Sequence, residues 1–251
     1  MLIKTLQTDM LETKVYRTRA EMGKAAAAAA ACAIREAIAQ KGEANVIFAA
    51  APSQNEMLEA LLREELDFTR IRAFHMDEYV GLSATAPQSF AAYLTAHLFA
   101  HAPFCEVFLI DACSPHGSAD YAALLAQYPP DVVCMGIGEN GHIAFNDPPV
   151  ADFNDPHKVK VVALDAVCRM QQVHDGCFPT LEAVPTHALT LTVPALMAAK
   201  HLICTVPGPT KAQAVKAMLQ GPIGEVCPAT ALRRHSHAVM LLDADSAAEV
   251  L

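Results

Sequence analysis

The stretch Gly141-His142-Ile143-Ala144-Phe145-Asn146-Asp147-Pro148 sets a histidine and a carboxylate on one short turn, directly after an apolar run. An imidazole titrates near neutral pH and a neighbouring carboxylate can orient it, so the pair suits general acid and base chemistry. The preceding run, residues 131–137, has the length and branching of a buried strand, which puts the turn at a strand's carboxyl end. Open parallel sheets bind small ligands at that edge. The same stretch spells Gly136-x-Gly138-x-x-Gly141, the pattern of a dinucleotide fingerprint. Its context rules that reading out: a fingerprint opens a long helix beneath the pyrophosphate, and Pro148 and Pro149 forbid one here.

Three other strand ends carry polar groups. Pro52-Ser53-Gln54-Asn55-Glu56 follows the apolar run 45–51, and Ser53 there can cap a helix while backbone N–H groups point at an anion; an ordinary N-cap explains it equally well. Met76-Asp77-Glu78-Tyr79 follows the run 71–75, although adjacent acids are ordinarily solvated. Val206-Pro207-Gly208-Pro209-Thr210-Lys211 delivers a lysine into the first turn of a helix, where a cation opposes the helix dipole and so calls for another reason to be there. Loops at the carboxyl ends of parallel strands face one crevice, and this convergence argues for an enzyme.

The elements that must hold these groups alternate. Strand-like runs fall at 45–51, 71–75, 106–110, 131–137, 159–164, 187–193, 201–206 and 238–242, with helix-like stretches at 21–40, 54–66, 89–101, 118–127, 165–176 and 210–220. Strand alternating with helix predicts a mainly parallel sheet covered on both faces, a three-layer α/β/α arrangement. A chain of 251 residues can bury one large core, and with no linker visible residues 1–251 read as a single domain. Although 53% of the residues are hydrophobic, no apolar run approaches the ~20 that cross a bilayer. Residues 1–8 lack a secretory pattern, so a cytoplasmic location is expected. The eight cysteines include no C-x-x-C pair and read as free, mostly buried thiols. A net charge of −9 argues against nucleic acid or an anionic membrane as partner.

Residues 76–82, Met-Asp-Glu-Tyr-Val-Gly-Leu, together with Gly136-Ile137-Gly138-Glu139-Asn140-Gly141 and the histidine turn, resemble the glucosamine-6-phosphate deaminase (isomerase) family. The likeness continues through Pro185-Thr186-His187-Ala188-Leu189-Thr190 to the turn at Lys211. The related 6-phosphogluconolactonases share the sheet but typically carry Asp-Glu-Arg and Gly-His-Thr-Ala-Ser at these places. The resemblance implies a Rossmann-like fold and an amino-sugar phosphate as small-molecule partner, with no metal and no redox cofactor. It implies ring opening, proton transfer from C2 to C1, and loss of the C2 amine as ammonia. By motif position Asp77 is the proton shuttle, His142 opens the ring, and Asp147 and Asn140 orient it. Phosphate is expected on Ser53, the N–H groups around Gln54 and Asn55, and Lys211, with Arg169 one helical turn from the family's arginine and Gln172 in register with it.

The chain departs from the family pattern in three places. Asn140 stands where aspartate is common, Asp147 where glutamate is usual, and Ser53-Gln54-Asn55-Glu56 replaces a glycine-rich phosphate loop. These differences leave room for a galactosamine-6-phosphate deaminase, another sugar-phosphate isomerase or lactonase, or a weakly catalytic sensor. A homo-oligomer is compatible with everything in the sequence.

Overall fold

The computed structural model describes residues 1–251. The chain runs β1 (Leu2–Thr8), β2 (Leu11–Tyr16), α1 (Arg19–Lys41), β3 (Ala44–Phe48), α2 (Asn55–Leu61), β4 (Ile71–His75), β5 (Asp77–Tyr79), α3 (Phe90–His97), β6 (Glu106–Phe108) and α4 (Gly117–Gln127). It continues through β7 (Val132–Met135), β8 (Val159–Ala163), α5 (Ala166–His174), β9 (His187–Leu191), α6 (Val193–Met197), β10 (His201–Val206), α7 (Ala212–Gln220) and β11 (Ala238–Asp243).

Eight strands form one sheet in the order β1-β2-β11-β10-β7-β3-β4-β6. Every pairing in it is parallel except the β1–β2 hairpin. The central strands are buried on both faces because helices cover both, which is why they read as continuous apolar runs. On one face, α1, α2 and α3 bury Ala26, Ala30, Met57, Leu58 and Leu94; on the other, α4, α6 and α7 bury Tyr121, Leu196, Val215 and Met218. The alanine run lets α1 lie close to the sheet. Thr18 caps its start by accepting from the Glu21 N–H, and Gly42 ends it at φ 87°.

Two regions differ from the expected layout. Residues 159–163 and 187–191 join β5 in a separate antiparallel sheet, β5-β9-β8. Burial along β8 is partial, with Val159 and Val162 buried but Val161 56% exposed, as suits a strand in a sheet not covered on both faces. The opening hairpin adds two strands to the main sheet: Leu11, Thr13 and Val15 turn inward while Glu12, Lys14 and Tyr16 alternate with them. No helix is long and apolar enough to cross a membrane. All eight cysteines are free; only Cys134, Cys168 and Cys204 are buried, so the expectation of mostly buried thiols does not hold.

Strand order fixes where a ligand can sit. From β3 the chain moves outward to β4 and β6, then returns to the opposite side of β3 as β7. The loops after β3 and β7 therefore part at the switch point and open a crevice between them.

Candidate active site

A cleft of about 590 Å³, its open mouth included, occupies that crevice. Residues 49–54 after β3, Met76 and Asp77 after β4, residues 136–138 after β7, His142, and Lys211 after β10 all line it. The glycines of the rejected fingerprint serve packing here. A Cβ on Gly138 would lie 2.1–2.3 Å from the His142 ring, and one on Gly136 would lie 2.8 Å from Gln54 Nε2. No helix follows the last glycine: the next regular element after β7 is β8.

His142 is held in one tautomer. Its Nδ1 lies 2.8 Å from Asn140 Oδ1 and 2.9 Å from Asp147 Oδ1, both acceptors, so Nδ1 carries the proton. Nε2 is then the ring nitrogen with a free lone pair. Asn140 Nδ2 donates to Asp147 Oδ1 at 2.9 Å, and Asn140 Oδ1 accepts the His142 N–H at 3.0 Å, so one amide braces backbone, ring and carboxylate. The Asp147 side chain is buried; burial alone would raise its carboxyl, and the hydrogen bond and charge of His142 and the Asn140 amide, with the Cys168 thiol nearby, more than offset that and lower it. The donor atoms of His142, Asp147 and Cys168 lie within 4.8 Å of one another, but Nδ1 is hydrogen-bonded to Asn140 and Asp147 and burial keeps the thiol protonated, so the trio is not arranged to hold a metal.

The small antiparallel sheet ties this turn to Asp77. Asp77 pairs with Thr190 of β9, and Thr190 Oγ1 accepts the Phe145 N–H at 3.0 Å. Asn146 Nδ2 donates to Ile143 O and to Leu191 O, closing the turn against the same strand. Asp77 is 7% exposed, and burial, with the neighbouring Glu78 charge, raises its carboxyl well above the ordinary value. Neither acid of the pair is solvated. Glu78 accepts from the N–H groups of Tyr79, Phe90 and Ala91, so it satisfies the start of α3 and does not line the cleft.

The far end of the cleft agrees less with the expected phosphate site. Ser53, Gln54 and Lys211 line it; Asn55 and Arg169 do not. The N–H of Gln54 donates to Ala51 O and that of Asn55 to Pro52 O, because Pro52–Gln54 forms a 3-10 turn that uses them internally. Asn55 Oδ1 accepts from the Tyr93 hydroxyl, and Gln54 Nε2 donates to Thr205 O and Ser53 Oγ. The Arg169 guanidinium donates to Leu181 O and Val184 O, fastening α5 to the loop before β9. Lys211, 5% exposed, is the lining cation; burial lowers its ammonium, with the Asp175 and Glu139 charges acting the other way.

Sequence reasoning missed most of one wall of the site, naming there only Gln172, as the residue in register with the family's arginine. Gln171, Gln172 and Asp175 line the cleft from α5, with Cys168 on the same face. Their spacing of three, four and seven residues was a legible stripe, but only packing shows which face looks inward.

The family profile described as glucosamine-6-phosphate isomerases/6-phosphogluconolactonase matches residues 17–241. The chain belongs to this family. A glucosamine-6-phosphate deaminase of Listeria welshimeri is 35% identical over 210 residues, 82% of this chain and 88% of the relative. One from Lactobacillus delbrueckii subsp. bulgaricus is 32% identical over 234 residues, 91% and 95% of the two chains. Among solved structures, a glucosamine-6-phosphate deaminase described as monomeric superposes with a TM-score of 0.87 at 29% identity, covering 94% of this chain and 99% of that one. The 6-phosphogluconolactonase of Trypanosoma brucei reaches a TM-score of 0.78 at 19% identity over 99% of this chain and 100% of its own, a likeness of fold. Family membership agrees with the three-layer architecture and with a ligand crevice at the strand ends.

Proposed function

We propose that this protein is a hexosamine-6-phosphate deaminase-isomerase, converting glucosamine 6-phosphate and water to fructose 6-phosphate and ammonia. One observation carries the reading: a buried carboxylate, a tautomer-fixed imidazole and a buried cation, Asp77, His142 and Lys211, share one cleft. His142 Nε2 takes the proton of the anomeric hydroxyl and returns one to the ring oxygen, opening the sugar. Nδ1–H stays on Asn140 and Asp147 throughout, so the imidazolium formed on the way is stabilised by the Asp147 charge.

Asp77 then removes the C2 proton and delivers it to C1. A raised carboxyl is the stronger base once ionised, and its buried place limits exchange of the carried proton with water. The resulting C2 imine adds water and expels ammonia. Lys211 holds the 6-phosphate, with Ser53 as hydroxyl donor; a phosphate dianion would offset the desolvation that lowers the lysine. The Asn55 and Arg169 contacts leave those residues out of this scheme.

Ammonia release from glucosamine 6-phosphate and from its C4 epimer, measured beside hydrolysis of 6-phosphogluconolactone, tests the reading. Ammonia from the first substrate without lactone hydrolysis is expected. Lactone hydrolysis alone would move the function to the lactonase branch, and binding with no turnover would leave a sensor.

A further inference from the structure

Asp147 has one oxygen accounted for and one not. Oδ1 accepts from Asn140 Nδ2 and faces His142 Nδ1, whereas Oδ2 is buried with no hydrogen-bond partner. A buried carboxylate oxygen with no donor is costly, because the hydrogen bonds it gave up with water are not replaced. The Cys168 thiol faces this carboxyl, with its sulfur, an Asp147 oxygen and a His142 ring nitrogen all within 4.8 Å of one another. Cys168 is 1% exposed, and its position is fixed from behind, since its own N–H donates to the N-cap Asp165 Oδ1 at 2.7 Å.

The geometry points to Cys168 as a positioning residue for His142: its thiol, beside the carboxyl whose Oδ2 lacks a donor, turns its S–H to that oxygen and so holds the carboxylate square to the imidazole. This rests on the deaminase reading, since it assigns His142 its work. Burial raises the thiol, and the Asp147, Asp165 and Asp77 carboxylates around it act in the same direction, so the sulfur stays protonated and can donate. It is thereby excluded as a nucleophile. The groups acting on Asp147 are His142, Asn140 and Cys168, and all three favour its ionised form. Helix α5 would then serve the site twice, bracing the histidine turn through Cys168 and lining the cleft through Gln171, Gln172 and Asp175.

Cys168→Ala and Cys168→Ser, each shown to be folded by circular dichroism, test this. The alanine variant should lose roughly tenfold in kcat with KM changed less than about twofold, as expected when one hydrogen bond to a charged group is removed from the turnover machinery. In the substrate-free protein, the Asp147 carboxyl followed by carbon-detected NMR should titrate higher in the alanine variant, because a donor to the charged form is gone. Serine, which restores an O–H donor, should recover most of both effects. An unchanged Asp147 titration in the alanine variant, or serine behaving like alanine, would overturn the assignment. If alanine fails to fold, serine alone decides: its Asp147 titration should lie at or below that of the wild type, and a rise refutes the contact. A wild-type protein that releases no ammonia sinks the deaminase reading instead, and the Asp147 titration still judges the thiol.

Discussion

Asp77 and Glu78 are neighbours on β5, both carboxylic acids and both buried, yet they occupy opposite environments. Successive side chains on a strand face opposite ways. Glu78 meets two backbone N–H groups at the start of α3 and that of Tyr79 beside it on β5, and these offset part of its burial, leaving its carboxyl raised but surrounded by donors. Asp77 faces the cleft, its carboxyl raised by burial and by Glu78 with no hydrogen bond to lower it. One acid is bonded into the fold and the other is left open to the cleft, as the proposed proton shuttle requires. Burial without donors marks the acid suited to chemistry; burial with donors marks the acid that holds the fold.

The largest expected effect separates the two. Asp77→Asn should cut ammonia release by at least the roughly 10²–10⁴-fold usual for a general base, with the protein folded, whereas Glu78→Gln should keep turnover per folded molecule within a few-fold. An active Asp77→Asn protein would move the base to another group. His142→Gln should fall in the same range as Asp77→Asn while leaving phosphate binding intact, checked by inhibition with a non-hydrolysable sugar phosphate.

Lys211→Met is expected to raise KM by roughly tenfold or more with kcat affected less, since a charge-assisted contact to phosphate contributes to substrate and transition state alike. An unchanged KM would take Lys211 out of the phosphate site. The same substitution should raise the melting temperature, because a buried ammonium lowered by desolvation destabilises the fold at neutral pH.

Glu78→Ala should cost about 1–3 kcal/mol in urea unfolding, because it strands buried N–H groups of Tyr79, Phe90 and Ala91. Stability unchanged from wild type would show those donors to be hydrated.

The smallest effect is the pH dependence. Asp77 holds a proton in the folded state that the unfolded chain has released above 3.8, so its contribution to stability falls as pH rises from 3.8 towards its raised folded value. Asp77→Asn removes this loss and should melt higher than wild type at neutral pH. His75, fully buried and pushed down to about 3 by desolvation, runs the other way: its contribution is complete above 6.5 and is lost as pH falls towards about 3. A melting profile of Asp77→Asn parallel to that of the wild type from pH 4 to 8 would contradict the Asp77 shift.

Much of this arrangement could be read along the chain. The runs at 45–51, 71–75, 131–137 and 201–206 became β3, β4, β7 and β10, because strands covered on both faces must be apolar throughout. Asp77, His142, Ser53, Gln54 and Lys211 lie at or just beyond strand ends, and parallel strands bring such ends to one edge whatever the residues between them. Pro148 and Pro149 excluded the nucleotide helix from sequence alone.

Tertiary packing decided the rest. Whether Glu78 or Asp77 faced the cleft depended on where α3 docked, and whether the N–H groups near Asn55 were free depended on the 3-10 turn that consumed them. The pairing of β5, β8 and β9 into a second sheet joined Asp77 to the histidine turn through Thr190, a contact between residues more than one hundred positions apart. Arg169 and Cys168 sit side by side in sequence, yet one fastens a loop and the other faces Asp147. Local sequence sets which faces a helix or strand possesses, because side-chain direction repeats with the backbone. Which face meets the cleft is set by long-range packing, and no local period carries that information.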